Sequence, residues 1–382
     1  MREGWRRGTF GDLMQLDIQK VDVQPGTEYP IVGVLGFGRG LLHREPITVA
    51  TTRYKQLHTV RPAQLVYSKL KAFEGAITVV PAENDVAYAS PEFPTYTATE
   101  LALPQYVRLI TQRPQLWDDL AAQSKGVGGR RERLNPRDLL TVPVIIPPLD
   151  EQRRIVDLVG ALDNTIAAAA AHGTRLQRTL FALTQGWTAP GSHEDVPLED
   201  VCDILDRLRR PVSEAERAKR PGDVPYYGAN GQVGTIDQSI FDEPLVLLWE
   251  DGGPVNEHLT RPQAYRIDGP AWVNNHAHVL RATTVPTDWL HYSLRHRDLR
   301  PHSSVGTRSK ITQAQMRKIP VRVTEGMSEK AGAMAVVEAA ATQARSLQAR
   351  LRTLRSNLLT ALLSGEHEIP ESYDELMEVE AA

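Results

Sequence analysis

The residues best placed to do chemistry in this chain are cations and amides carried on glycine-bearing loops. Gly128-Gly129-Arg130-Arg131 and Gly306-Thr307-Arg308-Ser309-Lys310 join a flexible backbone to Arg and Lys. Glycine lets a phosphodiester backbone approach closely, while Arg reaches phosphates or, bidentately, guanine edges. Asn230, Gln232, Asn274 and Asn275 are side-chain types that pair with adenine edges. In loops such residues serve more often as turn formers. Tyr67, Lys69, Lys71 and Phe73 interleave aromatics with lysines, a pattern shared by nucleic-acid surfaces and half-buried strands. The candidate DNA-binding set is therefore Arg39, Lys69, Lys71, Lys125, Arg130, Arg131, Asn230, Gln232, Asn274, Asn275, Arg308 and Lys310.

Catalytic patterns are much weaker. Gly36-Phe37-Gly38-Arg39-Gly40 is the nearest approach to a glycine-rich cofactor loop, but no strand–loop–helix unit with a downstream acid frames it. Its glycines are expected to supply turns. No loop ending Gly-Lys-Ser/Thr is present, which disfavours an ATP-driven motor. His276-Ala277-His278 is expected on one strand, both rings on one face and able to meet a metal. No third ligand accompanies them, so structural histidines are favoured and no metal site is assigned. The acids fall into no nuclease-like cluster. These readings make the chain a binder without a catalytic centre or a cofactor of its own.

Composition sets the broad class. The 382 residues are 41% hydrophobic and 24% charged, which fits a globular protein of two or three domains. A single cysteine, Cys202, rules out an internal disulfide. The net charge of −3 hides segregation: 295–322 carries eight basic residues against Asp298 alone, and 123–137 carries five against Glu132. Local fields, not the sum, govern phosphate binding. Such runs can also be merely solvated faces. The segment after Gly365 holds seven acids and no Lys or Arg. The apolar run Thr165–Ala171 is far shorter than the ~20 residues of a membrane span, and no apolar region follows the first residues. Cytoplasm is the expected compartment, with no membrane partner.

The elements that must position these residues come in two copies. After Val144-Ile145-Ile146-Pro147-Pro148-Leu149, the acids Asp150 and Glu151 suit a helix N-terminus. Ile155, Val159, Leu162, Ile166, Ala169, Gly173, Leu176, Leu180 and Leu183 then recur at heptad spacing up to Gly186. Val337, Ala340, Ala344, Leu347, Leu351, Leu354, Leu358 and Ala361 repeat the design before Gly365. Each helix has one narrow apolar stripe, and pairing the two as an antiparallel coiled coil keeps both dry. Upstream stretches match as well. Gly8–Leu13 parallels Val196–Val201, Tyr29–Gly33 parallels Val224–Gly228, and Leu65–Ser68 parallels Leu245–Leu248. Gly128-Gly129-Arg130 parallels Gly306-Thr307-Arg308. The order globular, helix, globular, helix is an internal duplication.

Short strands are expected at 31–35, 64–68, 76–80, 245–249 and 272–280, and short helices at 104–110, 117–123 and 288–295. The fold class is α+β: two globular domains, each followed by a long helix, the helices paired and the halves related by a pseudo-two-fold duplication. The expected boundaries are 1–146, helix 147–187, 194–323, helix 327–365, and a disordered acidic tail 366–382. Helix pairing is assigned to Ile155, Val159, Leu162, Ile166, Leu176, Leu180, Leu183, Val337, Leu347, Leu351, Leu354 and Leu358.

Ile145-Ile146-Pro147-Pro148-Leu149-Asp150-Glu151-Gln152-Arg153-Arg154-Ile155 closely resembles the lead-in to the conserved helices of type I restriction–modification specificity subunits. Val224–Gly231, Trp272–Leu280, Val66–Lys71 and Ser90–Phe93 resemble recurrent stretches of their target-recognition domains. The resemblance runs over nearly the whole chain and includes the duplication. One departure is plain: Pro320-Val321-Arg322-Val323-Thr324-Glu325 stands where the second helix would have the Pro-Pro-Leu-x-Glu-Gln lead-in.

The resemblance implies that each domain reads one half of a split double-stranded DNA target and that the helices space the halves. It implies docking of two methyltransferase (modification) subunits bearing S-adenosylmethionine, and recruitment of an ATP-dependent restriction/translocase subunit. Other readings of the same residues are a specificity-like DNA reader of another phage-defence complex and a coiled-coil protein adaptor.

Overall fold

A computed structural model describes residues 2–127, 130–191, 195–304, 309–370 and 372–373. The chain forms two units, one of Met1–Ala167 with Ala349–Ala382 and one of Ala168–Gln348. Two long helices, Leu149–Thr188 (the central helix) and Met327–Ser364 (the distal helix), contribute a segment to each unit.

In the first unit a two-stranded ribbon pairs Arg6–Thr9 with Pro143–Ile146. A four-stranded sheet runs in the order Met14–Leu16, Thr95–Ala98, Leu65–Tyr67, Ile77–Val79. A five-stranded sheet includes the hairpin Tyr29–Val34 with Leu41–Ile47, and its first strand also pairs parallel with Ala87–Ala89.

The second unit repeats this wiring. Asp195–Pro197 pairs with Pro320–Arg322. Cys202–Ile204, Ala277–Ala282, Leu245–Trp249 and Ala264–Ile267 form the four-stranded sheet. The hairpin Val224–Gly228 with Gly231–Ile236 also pairs parallel with Pro270–Val273. Helix Pro104–Thr111 in one copy corresponds to helix Thr287–Arg295 in the other. The duplication read from matching stretches is a duplication of strand order.

Alternating apolar residues explain the sheets. Leu245-Val246-Leu247-Leu248-Trp249 is buried at every position because the strand lies between two cores, one holding Val246, Leu248 and Trp249, the other Leu245 and Leu247. In the first unit Tyr67 and Tyr96 are buried, and each hydroxyl donates to a carbonyl, Leu134 at 2.9 Å and Pro136 at 2.8 Å. Burial raises both phenol pKa values, so these groups act as neutral clamps on the loop before the central helix.

The Pro-Pro-Leu-Asp-Glu-Gln lead-in has a physical reason. Gln152 is fully buried in the first turn of the central helix, where its amide donates to the carbonyls of Leu101 (2.8 Å) and Pro147 (3.0 Å) and accepts from Leu103 N–H (2.9 Å). It thereby satisfies backbone groups that the helix start and the neighbouring loop would leave orphaned. The distal helix starts differently: Gly326 takes φ +70° and Lys330 Nζ donates to the Glu325 carbonyl at 2.9 Å.

The two helices pair antiparallel within each unit. In the first, Ile155 and Val159 share a core with Leu359, Leu362 and Leu363. In the second, Leu180 shares a core with Ala331 and Met334, and Gly173 faces Ala344.

Three expectations are corrected here. Leu347 and Leu354, assigned to the seam, are 50% and 53% exposed; Ala341 and Arg355, which were not assigned to it, face inward beside the expected Ala344 and Leu351. Arg355 reaches Asp163 at 2.5 Å and Gln112 at 2.8 Å, so a cation holds a seam position by being paired. The predicted strand 272–280 is broken at Asn274–His276, leaving Pro270–Val273 and Ala277–Ala282. The acidic tail is not separate from the fold at its start. Ile369 is buried in the first core, and Arg154 donates to the carbonyls of Ile369 and Pro370, each at 2.9 Å. Residues 371 and 374–382 lie outside the described residues.

His291, on helix Thr287–Arg295, gives the second unit an acid sensitivity. Burial pushes its pKa down to about 4; Arg295 and Arg266 add to the effect, and Glu338 and Asp288 oppose it. The unfolded chain takes up the proton first, near 6.5, so stability is full above that pH and falls until about pH 4. The loss should approach about 3 kcal/mol. His291→Leu should flatten the fall, measured as urea midpoints across this range. An unchanged slope in the variant would reject the assignment.

Candidate nucleic-acid interface

In the second unit, loops from distant parts of the sequence meet at the strand ends. The turn Ala229-Asn230 tips one hairpin, and Asn230 Nδ2 donates to the Gly252 carbonyl at 3.2 Å. Gly252 N–H in turn donates to Ser309 O at 2.9 Å, which brings in the basic segment around Lys310. Asn274 N–H donates to Tyr227 O at 3.0 Å, and Arg210 N–H reaches Val273 O at 3.4 Å. Arg209 donates to the carbonyls of Ala277 (2.8 Å) and Asn275 (3.4 Å). Asn230, Gln232, Asn274, Asn275 and Lys310, selected from sequence, therefore belong to one cluster.

Their chemistry is not equal. Asn274 Oδ1 accepts His276 N–H at 2.8 Å, closing a turn, and Gln232 donates to Gly234 O at 3.2 Å. Asn275 is exposed. Sequence reasoning passed over Arg207 and Arg210, both exposed beside this cluster. The signal was present as Asp206-Arg207-Leu208-Arg209-Arg210, a short run placed too early in the chain to stand out beside 295–322. Arg308 lies outside the described residues.

Beneath the loops is a charged hub. His278, 1% exposed, places Nδ1 2.6 Å from Asp206 Oδ2 and Nε2 2.9 Å from the Ile311 carbonyl. The ring is thus held between a carboxylate and a backbone carbonyl, one at each nitrogen. Burial alone would raise the Asp206 pKa. The His278 hydrogen bond and charge, the Val279 N–H and Arg209 overcome this and hold it below the usual carboxylate range. Glu250 accepts from Arg209 at 2.7 Å and Lys310 at 3.3 Å.

Asp206, Glu250 and His278 have metal-ligand types within 4.8 Å of one another. The two carboxylates are nonetheless already paired with Arg209 and Lys310, and a metal would have to displace these cations and the His278–Asp206 hydrogen bond. The expectation that His276 and His278 share a strand face is corrected: His276 lies in the turn and reaches Asp251 at 2.6 Å, while His278 points inward. Burial also pushes the Cys202 thiol up to about 12, leaving it a packing residue.

The first unit has an equivalent cluster. Leu134 N–H donates to Lys69 O at 3.0 Å, as Ile311 N–H donates to Glu250 O at 2.8 Å, and both Leu134 and Ile311 are fully buried. Each basic segment is thus pinned by one apolar plug. Lys69 Nζ is bound to Pro91 O at 2.7 Å, Lys71 pairs with Glu74 at 3.1 Å, and Arg133 pairs with Glu92. Arg39 is exposed, its Nε on Gly36 O at 3.0 Å. Lys125, Arg130 and Arg131 fall on the ribbon Lys125–Val127 with Arg130–Arg133. Gly128 and Gly129 lie outside the described residues.

This architecture has known relatives. Residues 190–324 match the family model described as the type I restriction modification DNA specificity domain. A stretch of 128 residues, 33% of this chain, is 30% identical to a Haemophilus influenzae protein described as a type I restriction enzyme specificity subunit. That stretch spans about a third (32%) of the relative's own length. The fold is similar to the HsdS subunit of Thermoanaerobacter tengcongensis (TM-score 0.52, 18% identity, covering 96% of this chain and 98% of that one). It is also similar to the type I restriction-modification S subunit from M. genitalium (TM-score 0.57, 12% identity, 96% and 97% coverage). A chain of a type I R-M system solved for its complex assembly and conformational transition gives TM-score 0.58 at 19% identity, with 95% and 98% coverage.

The second unit thus contains the stretch that matches the type I DNA specificity domain, and the whole chain has a fold similar to that of solved type I specificity subunits.

The hub predicts a measurable penalty. His278→Leu leaves Asp206 and the Ile311 carbonyl without their shared donor, and breaking a buried pair costs about 3–5 kcal/mol. Urea unfolding should show that loss, with faster amide exchange at 304 and 309–311. Asp206→Asn added to His278→Leu should restore part of it. A wild-type midpoint for His278→Leu would mean that the hub anchors nothing.

Proposed function

We propose that this chain is the DNA-reading subunit of a restriction–modification complex, recognising a two-part double-stranded target and leaving catalysis to its partners. The observation that carries the reading is the duplicated loop cluster: the same strand order in each unit ends in loops bearing cations and amides, and the second cluster lies inside the matched specificity domain. The helices that run from one unit into the other are the proposed spacer between half-sites.

The proposed partners are two methyltransferase subunits, which would supply S-adenosylmethionine, and a restriction/translocase subunit, which would use ATP. The described residues include no helix long and apolar enough to cross a membrane, and the cytoplasm is the proposed compartment. A non-catalytic role is supported by how the reactive groups are spent: His278, Asp206 and Glu250 hold one another, and the Cys202 thiol is buried.

Mapping methylated bases in DNA from cells expressing the chain with its methyltransferase should reveal one bipartite motif; random or absent methylation would sink the reading. In binding assays on that motif, Arg207→Ala, Arg210→Ala and Lys310→Ala together should weaken binding. For each phosphate left without its cation, the slope of log affinity against log salt should fall by about one. A protein adaptor would show no change in either measurement.

A further inference from the structure

The hairpin Tyr29–Val34 with Leu41–Ile47 ends in Leu35-Gly36-Phe37-Gly38-Arg39-Gly40, and its tip holds a bulky side chain in an unusual backbone state. Phe37 has φ +61°, the left-handed region that aromatic residues rarely occupy. The residue is 66% exposed. The chain therefore accepts both backbone strain and a wet phenyl group at one position, and neither is compensated by burial in the core.

The tip is also held firmly. Phe37 N–H donates to Glu74 O at 2.7 Å, Gly38 N–H to Gly75 O at 3.1 Å, and Leu35 N–H to Gly40 O at 2.9 Å. Trp117 backs the loop, its ring edge-on to Phe37 at 6.2 Å and its Nε1 donating to Thr111 O at 2.9 Å. Gly75 admits this arrangement: with φ +72°, a Cβ there would fall 2.5 Å from the Trp117 ring. Strain that the surroundings over-determine is a mark of function, because the conformation is imposed from several sides.

The surroundings select the occupant. The Arg39 guanidinium is 6.0 Å from the Phe37 ring centroid and exposed, and the neighbouring acid, Glu74, is paired with Lys71. A planar aromatic face beside an exposed guanidinium fits a nucleic-acid base step flanked by phosphates, where stacking and charge act together. A purely apolar protein surface would give Arg39 no counter-charge. At the tip of the duplicated hairpin the second unit has Asn230, an amide, in place of an aromatic.

We propose that Phe37 is a stacking wedge for the first half-site, inserting at or against a base step while Arg39 engages the adjacent backbone. This rests on the DNA-reading function proposed above and adds to it that the two heads use different contacts at equivalent tips: a ring in the first and an amide in the second.

The test uses the full-length chain in complex with its methyltransferase subunits, on duplexes carrying its methylated motif with 2-aminopurine placed stepwise through the first half-site. Phe37→Gly removes the ring and relieves the backbone, so it should melt no lower than wild type and yet bind about tenfold more weakly, with the salt slope unchanged. Phe37→Trp should keep binding near wild type. Wild type should brighten 2-aminopurine at one step, and Phe37→Gly should not. If Phe37→Gly binds and brightens the probe like wild type while wild type still prefers the motif to scrambled DNA, the wedge is wrong and the reading function stands. If wild type shows no preference at all, the reading function fails and takes the wedge with it.

Discussion

The constraint on which the first unit depends is that its core cannot close from its own stretch of sequence. Ile155 and Val159 bury against Leu359, Leu362, Leu363 and Ile369, which arrive from the far end of the chain. The second unit has the reciprocal debt: Leu180 of the central helix packs with Ala331 and Met334 of the distal helix. Each head therefore folds on a helix pair rather than beside one, and the pairing is part of both hydrophobic cores. Apolar contacts alone fix such a register weakly. The Arg355–Asp163 pair adds a directional constraint at a seam position, the setting in which a polar group most credibly specifies alignment.

That arrangement frees the opposite ends of the strands to vary. What the two loop clusters share is the way they are anchored: a buried Leu134 or Ile311 whose N–H caps the end of a sheet strand. What differs is the charge below. The second cluster rests on His278 between Asp206 and the Ile311 carbonyl, whereas in the first Arg133 pairs with Glu92 and Lys69 Nζ donates to the Pro91 carbonyl. A duplicated backbone with different polar anchors can hold loops of different length and chemistry at equivalent positions, as the proposed reading of two half-targets requires.

The architecture was legible because it is written in apolar periodicity. Strands such as Leu245–Trp249 and both long helices announce themselves through burial, which is the strongest signal a sequence carries. The errors fall where a polar residue occupies an inward position or a turn interrupts a strand. A strict heptad drifts by about 20° per repeat against a straight helix, so Leu347 and Leu354 rotate outward while Arg355 comes inward. An apolar count has no means of choosing a paired arginine over leucine. Asn274 likewise breaks a β pattern through its own side chain, by capturing the His276 N–H.

The candidate site was legible in composition and much less so in geometry. Asn230, Asn274 and Lys310 were chosen by residue type, and tertiary hydrogen bonds through Gly252 and Tyr227 bring them together. Phe37 shows the limit from the other side. Between glycines it reads as a residue of a turn, and nothing in the sequence says that its φ is positive or that Trp117 blocks its way inward. Its meaning depends on an unfavourable conformation being maintained, and unfavourable conformations leave no trace in propensity. The proposed contacts lie where the local rules are broken and the surroundings compel it, which is why the scaffold could be read from the sequence and the loop clusters needed coordinates.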